Sequence, residues 1–255
     1  MVVPTYNEAE NVARIVGRVH DVVPDVDILV VDDGSPDGTA EIAEALQAEL
    51  PQLHLLRRTA KAGLGSAYRA GFAWGLERGY EAFVEMDADF SHDPEALPSL
   101  LAPVLSGFEL TIGSRYVPGG TIPNWSWHRH LLSVSGNRYA SAVLGLGVAD
   151  ATAGYRVYAA TLLRRIDLDS VRAEGYGFQI EMTYRSRQAG ADICEVPIRF
   201  VDREVGVSKM SSSIVVEALA LVTWWGLGRV LRAGRRVVNR PASTLVGAPG
   251  SPPGG

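Results

Sequence analysis

The sequence predicts an α/β fold in which helices flank both faces of a mostly parallel, Rossmann-like central sheet. Two observations support this prediction. Short β-rich runs alternate with segments whose apolar residues recur at helical spacing, a pattern typical of consecutive βα units. The chain has 255 residues and is 47% hydrophobic, so it is long enough to bury a large core.

The first half of the chain supplies these elements in alternation. A short strand at the start leads into PTYNE, and apolar residues then recur at helical spacing over 12–23. Asn7 and Glu10 resemble a capping box at the start of this helix. Further strands are predicted over 27–33, 53–56 and 82–87, and further helices over 39–50, 63–79 and 94–105.

The second half is less regular but continues the same pattern. β-rich runs predict strands over 109–116, 151–160 and 193–200, and helical spacing predicts helices over 139–148 and 176–188.

Polar residues follow three of the predicted strands. PTYNE follows the first strand, DDGS follows the second, and Asp87 and Asp89 follow the run FVEM. Because parallel strands deliver their carboxyl ends to one edge of a sheet, these residues are expected to form one site there. Two carboxylates at this edge suit Mg²⁺ or Mn²⁺ bound together with phosphates. For the two aspartates taken alone, a solvated Asp-rich turn remains the alternative interpretation.

Several function classes are disfavoured. The net charge of -5 argues against a general nucleic-acid partner. The single cysteine, Cys194, excludes a disulfide framework, and a reducing compartment is expected. The first strand leads to PTYNE and not to GxGxxG, which argues against a dinucleotide oxidoreductase. The chain opens directly on MVVPTYNE, so no signal peptide is expected, and the short first strand suggests a longer natural chain.

Seven motifs occur in an order that resembles a known family. They are VVPTYNE, VVDDGSPDGT, KAGLGSAYRAGF, MDADFSHDP, GSRYVPGG, GYGFQIEM and EVPIRFVDREVGVSK. Together they resemble family 2 glycosyltransferases of the GT-A fold, and more closely the polyprenol-phosphate (dolichol-phosphate) mannose synthases. The resemblance covers residues 1–210, which would form the catalytic domain. It implies transfer of mannose from GDP-mannose to a polyprenyl monophosphate.

The resemblance also implies roles for individual residues. Asp87 and Asp89 would hold the metal and, with Arg115, form the catalytic centre, while Ser91 stands where some relatives carry a glutamine ligand. The acceptor phosphate would bind Arg115, Arg129 and Ser133. The nucleotide sugar would contact a larger set, comprising Pro4, Tyr6, Glu8, Val31, Asp33, Asp87, Ala88, Asp89, Arg115, Arg203 and Lys209.

Some of these roles have simpler alternatives. Arg129 also fits an ordinary surface cation, Arg203 a local ion pair with its acidic neighbours, and Tyr6 a core residue. A phosphate monoester is already anionic at neutral pH and needs no general base, so the lack of an evident base is consistent with direct displacement and inversion at the sugar carbon. The same fold with UDP-glucose as donor, and an inactive nucleotide-sugar-binding subunit, remain open alternatives.

The C-terminal part suggests how the protein reaches a lipid acceptor. Within residues 211–236, the run 214–231 is mostly apolar and includes Trp224 and Trp225, and arginines follow on its C-terminal side. They predict an amphipathic helix that lies in the membrane interface or docks on the domain. Residues 237–255 are rich in Pro, Gly and Ser and are expected to be disordered. We expect a cytoplasmic protein bound peripherally to the cytoplasmic face of the membrane, with a separate or fused membrane-protein partner.

Overall fold

A computed structural model describes residues 1–202 and 218–228 of the chain. Seven strands occur within these residues: β1 (Val2–Thr5), β2 (Ile28–Asp32), β3 (Leu53–Arg57), β4 (Ala82–Glu85), β5 (Leu110–Ser114), β6 (Arg156–Ala159) and β7 (Ile193–Pro197). They form one sheet in the order β3-β2-β1-β4-β6-β5-β7.

The directions of the strands determine which strand ends meet at one edge of the sheet. Strand β6 runs antiparallel to β4 and β5, and the other neighbouring pairs are parallel. The predicted mostly parallel sheet is therefore confirmed. The carboxyl ends of β1, β2, β4 and β5 lie along one rim, and the residues that precede β6 reach the same rim.

Helices cover both faces of the sheet. Alternate residues of a strand point to opposite faces, and in β1 and β2 both sets are apolar, so each face is covered by helices. Val2 and Leu29 pack with one hydrophobic cluster, and Val3 and Val30 pack with another. The helices are α1 (Val12–Val22), α2 (Thr39–Leu46), α3 (Leu64–Glu77), α4 (Leu97–Leu105), α5 (Trp127–Leu144), α6 (Ala160–Arg165) and α7 (Gly175–Gln188). The first cluster includes residues of α3, α5 and α7, and the second includes residues of α1, α2 and α4.

Three local features differ from the sequence prediction. The predicted capping box is wrong, because Asn7 has a φ of 59° and helix α1 begins later, at Val12. Helix α5 begins at Trp127, well before the predicted 139–148, since its early apolar residues face outward and give no core-facing pattern. The short helix α6 was not predicted.

The helical segment 218–228 packs on α5 and α7. The Trp225 ring stacks on Tyr184 with 6.2 Å between ring centres, and the Tyr139 and Thr223 hydroxyls are 2.8 Å apart. Val222 is buried in the core cluster below. Within residues 1–202 and 218–228, no helix combines the length and hydropathy needed to cross a bilayer. The rest of the predicted 211–236 helix and the predicted tail over 237–255 lie outside the described residues.

Candidate active site

The loops after β1 and β2 are tied together at the rim. The backbone amide of Asn7 donates to the Ser35 hydroxyl at 3.0 Å, and that of Glu8 donates to the Thr39 hydroxyl at 3.0 Å. The buried Asp32 carboxylate accepts from Thr5, from the Gly34 and Ser35 amides and from the Ser35 hydroxyl. These bonds fix the two loops as one surface.

The predicted nucleotide-binding residues of the first two strands differ in their exposure. Pro4 and Tyr6 are partly exposed near the rim, and the Lys61 ammonium lies 4.1 Å from the Tyr6 ring centre. Glu8 accepts from the side-chain amide of Asn11 at 2.8 Å. By contrast, the Val31 side chain is fully buried in the core.

Asp33 is held from two sides at the end of β2. Its carboxylate pairs with the Arg58 guanidinium at 2.8 Å and accepts from the Ala62 amide at 3.1 Å. Arg58 also donates to the Ser66 hydroxyl in the first turn of α3. Asp33 therefore connects the end of β2 to the loop before α3 through Ala62, and to α3 itself through Arg58.

Asp87 and Asp89 follow β4 at the centre of the rim. Asp87 accepts from the Tyr68 hydroxyl at 3.2 Å, and Asp89 accepts from the Ser91 amide at 3.0 Å. Ala88, between them, is buried, and Phe90 has a φ of 60°. The chain therefore turns directly after the second aspartate, as convergence of the two carboxylates requires.

The two carboxylates fit a divalent cation that is shared with a diphosphate. No group of three or more His, Cys, Asp or Glu side chains suited to a metal occurs in the part of the chain that the structure describes. Mg²⁺ and Mn²⁺ are commonly bound by one or two carboxylates, with substrate phosphates and water as the other ligands. Asp87 and Asp89 match that donor set. Ser91 contacts Asp89 through its backbone amide, and its role as a metal ligand stays a prediction.

The layer beneath the aspartates is buried, and burial shifts the pKa values of its side chains. Burial lowers the pKa of His92 to about 4 and raises the pKa of Glu85 to about 8. Burial, and then the charge of Asp87, raise the pKa of the Tyr68 hydroxyl. The fully buried Arg156 guanidinium also belongs to this layer, and its charge partly offsets the effect of burial on the pKa of Glu85.

Arg115, which follows β5, belongs to a buried ion pair. Its Nε and Nη2 atoms each lie 2.7 Å from the Asp150 carboxylate, and Nη2 also donates to the Thr152 hydroxyl at 2.7 Å. Burial alone would raise the pKa of Asp150, but the charge and hydrogen bonds of Arg115 lower it. Sequence reasoning missed Asp150 and Thr152, although Asp150 directly precedes the predicted strand 151–160 and Thr152 lies within it.

The three predicted acceptor residues, Arg115, Arg129 and Ser133, line one pocket. Arg129 lies 3.9 Å above the Trp125 ring and donates to Asp202 at 2.9 Å. Ser133 accepts from the Tyr116 hydroxyl at 2.6 Å. The remaining walls come from α5, α7 and segment 218–228 and are mainly apolar, with Leu132, Ala140, Ile180, Leu219 and Val222 among them.

Exposed apolar side chains lie on α5 and segment 218–228, two of the elements that line this pocket. Trp127 and Trp224 are 77% and 74% exposed. Leu131, Leu132 and Leu227 are also more than half exposed. A pocket with arginines inside and large apolar residues outside suits an amphipathic ligand. Arg203 and Lys209, predicted for the donor phosphates, lie outside the described residues.

Comparison with known proteins places the chain among glycosyltransferases. Residues 1–167 match glycosyl transferase family 2. The chain is 55% identical over 240 residues to the polyprenol monophosphomannose synthase of Mycolicibacterium smegmatis, covering 94% of this chain and 91% of that protein. It is 55% identical over 226 residues to the undecaprenyl-phosphate mannosyltransferase of Micrococcus luteus, covering 89% and 93%.

Solved structures of lower identity share the fold. Glucosyl-3-phosphoglycerate synthase from Mycobacterium tuberculosis, in complex with Mn²⁺ and UDP-glucose, is 20% identical with a TM-score of 0.65. The match covers 87% of this chain and 76% of that one. The same enzyme in complex with phosphoglyceric acid is 18% identical, with a TM-score of 0.64 and coverage of 87% and 77%. The likeness supports the GT-A type of fold.

Proposed function

The chain belongs to glycosyl transferase family 2, and we propose that it transfers mannose from GDP-mannose to a polyprenyl monophosphate. The products would be polyprenyl-phosphate β-mannose and GDP. One observation carries the proposal. A carboxylate pair suited to a metal-bound diphosphate shares its rim with an arginine-containing pocket whose walls are mainly apolar. The two relatives that are 55% identical carry names that specify mannose and a polyprenyl phosphate.

The donor would bind across the ends of β1, β2 and β4. Asp87 and Asp89 would hold Mg²⁺ or Mn²⁺, which neutralises charge on the departing diphosphate when it is bound. Tyr6 and Lys61, with the loop that contains Asp33, would flank the nucleoside. The hydrogen bonds between the two loops hold this surface together.

The acceptor phosphate would bind in the pocket beside Arg129. Because this phosphate is already anionic at neutral pH, the protein does not have to remove a proton from it. Its task is to hold two anionic groups close together and in line, which cations and fixed dipoles accomplish. Both arginines are paired, Arg115 with the buried Asp150 and Arg129 with the more exposed Asp202. Arg129 is the more accessible of the two, so the phosphate would take the place of Asp202 beside it.

Direct displacement follows from this arrangement. The phosphate oxygen attacks the anomeric carbon, the bond from that carbon to the diphosphate oxygen breaks, and the electron pair leaves with GDP. One displacement inverts the configuration at that carbon. A lipid product with the α configuration would refute this step.

The exposed apolar residues around the pocket would contact the bilayer in which the acceptor resides. Burial of a Leu side chain contributes about 1.5–3 kcal/mol, and tryptophans favour the membrane interface. We expect Leu227→Ser to weaken co-sedimentation with anionic liposomes about 10-fold. The matched control is Leu105→Ser on α4, which changes another exposed leucine. Equal liposome binding by the two variants would contradict this placement.

The decisive experiment measures transfer of label from GDP-mannose into a butanol-extractable lipid. Purified protein, a polyprenyl phosphate in detergent and Mg²⁺ or EDTA are sufficient. Metal-dependent label in the lipid phase supports the proposal. Label from UDP-glucose but not from GDP-mannose would overturn the sugar while keeping the acceptor. No label from either donor, with GDP still bound, would indicate an inactive nucleotide-binding subunit.

A further inference from the structure

Helix α7 holds a buried glutamine that has no role in the reaction as described so far. Gln179 is 2% exposed, and neither polar atom of its side chain makes a hydrogen bond of standard geometry with a described residue. Its amide lies beside Glu85, whose pKa is raised by burial and lowered in part by Arg156 and by this amide. A side-chain amide offers two donors and an acceptor oxygen, so this contact leaves bonding capacity that a ligand or water would satisfy.

The amide of Gln179 borders a small space at the rim. A Cβ atom placed on Gly154 would lie 3.9 Å from Gln179 Nε2 and 3.8 Å from Asp87 Oδ2. Both polar atoms therefore border the same volume, which exists because Gly154 has no side chain. Gly154 itself is partly exposed.

The position of Gln179 in α7 places it between the two substrate regions. Tyr176, one turn earlier in the same helix, lines the acceptor pocket. On the other side, the Gln179 amide borders the volume beside Gly154 together with Asp87, which would help to bind the donor diphosphate. During transfer the sugar has to lie between the diphosphate that it leaves and the phosphate that it joins. Gln179 and Gly154 lie between the acceptor pocket and the region of the donor diphosphate.

We infer that the Gln179 amide hydrogen-bonds to a hydroxyl group of the transferred hexose, and that Gly154 leaves the room this sugar needs. The inference rests on the proposed function and deepens it, since it assigns residues that select the sugar. A site that hydrogen-bonds a substrate hydroxyl discriminates against the analogue that lacks it, because a buried polar group is then left unpaired. The backbone carbonyl of Gln179 accepts from Arg156 and Thr183, and side-chain substitution retains these bonds.

The test compares Gln179→Met with Gln188→Met, which makes the same change at an exposed position of the same helix. Transfer is measured with GDP-mannose and with its monodeoxy analogues, and the affinity for GDP is measured by calorimetry. We expect Gln179→Met to lower kcat/KM for GDP-mannose by roughly 10- to 100-fold. It should also remove the wild-type preference over one deoxy analogue, while GDP affinity stays within about twofold. Gln188→Met should match the wild type.

A second variant keeps the inference testable if Gln179→Met does not fold. Gly154→Ala places a methyl group at ordinary contact distances from its neighbours, so it should bind GDP normally and transfer mannose poorly. Unchanged sugar preference in the variants, or parallel loss of GDP binding, would overturn the inference and leave the proposed function intact. Absence of mannose transfer by the wild type would refute the proposed function, and this inference with it.

Discussion

Replacing Asp150 with Asn should destabilise the protein severely, because it removes the counter-charge of a buried arginine. Asp150 is fully buried, and the Arg115 side chain is 5% exposed. The carboxylate accepts from the Arg115 backbone amide at 3.0 Å and from two guanidinium nitrogens at 2.7 Å. Asparagine keeps the size of the side chain but leaves the guanidinium charge unpaired.

The expected cost is about 3–5 kcal/mol, the range found when one partner of a buried ion pair is removed. Because natural domains are stable by only about 5–15 kcal/mol, this is a large share of the total. For a domain of this size each kcal/mol lowers Tm by roughly 2–4 °C, so Asp150→Asn should melt on the order of 10 °C below the wild type.

The assay is urea unfolding of Asp150→Asn beside Glu109→Gln. Glu109 and Arg165 form a pair with two 2.7 Å contacts, as in the buried pair, but on the surface. Exposed pairs contribute little, so Glu109→Gln should leave the unfolding midpoint nearly unchanged. If the two variants lose the same stability, burial is not what makes the Arg115–Asp150 pair important.

The same pair predicts a pH dependence of stability. Asp150 has a lowered pKa, because the charge and hydrogen bonds of Arg115 outweigh the opposing effect of burial. A carboxyl group of this kind contributes its full stability above the unfolded-state pKa of about 4 and loses it as the pH falls through the folded-state value. The stability difference between wild type and Asp150→Asn should therefore be constant near pH 7 and shrink in acid. A difference that grows below about pH 4 would contradict the assignment.

Three further predictions concern the metal, the acceptor and the packing. Asp89→Asn should lower mannose transfer by about 100-fold or more at unchanged Tm, since a bound metal contributes several kcal/mol to catalysis; activity equal to wild type in the presence of Mg²⁺ would refute the metal role. Arg129→Met should raise KM for the polyprenyl phosphate about 10- to 100-fold without changing KM for the donor. Arg78→Met is the matched control for Arg129, because Arg78 also stacks on a tryptophan, Trp74. Gly71→Ala should destabilise the protein by about 1–3 kcal/mol, since its Cβ would collide with Val2. Gly17→Ala, a helical position with open space around it, should stabilise it by about 0.5–1 kcal/mol; equal effects of the two glycine variants in urea unfolding would refute the packing argument.

Much of the fold was predictable because the strands and helices of the first half are encoded locally. The runs that became β2, β3 and β4 carry β-rich residues between turn residues, and each forms a strand close to its predicted bounds. The meeting of PTYNE, DDGS and the two aspartates followed from parallel strands alone. Only the approximate direction of each strand was needed for that prediction.

The acceptor side was harder to predict, because its contacts join distant parts of the chain. Arg115 and Asp150 lie 35 residues apart, and no sequence pattern pairs an arginine with one particular aspartate. Strand β6 adds a second difficulty, since it is antiparallel and brings to the rim the residues before it, including Gly154. Reasoning from the carboxyl ends of strands does not find such residues.

The order of the strands has a consequence for how substrates and products move. Strands β4 and β6 separate β1 from β5 in the sheet, so the loops tied together after β1 and β2 lie at a distance from Arg115. In the proposed reaction, the water-soluble nucleotide would enter and leave at one end of the rim, and the lipid at the other. The two products would therefore leave the protein through separate openings. GDP and the glycolipid should then act as independent competitive inhibitors, each against its own substrate.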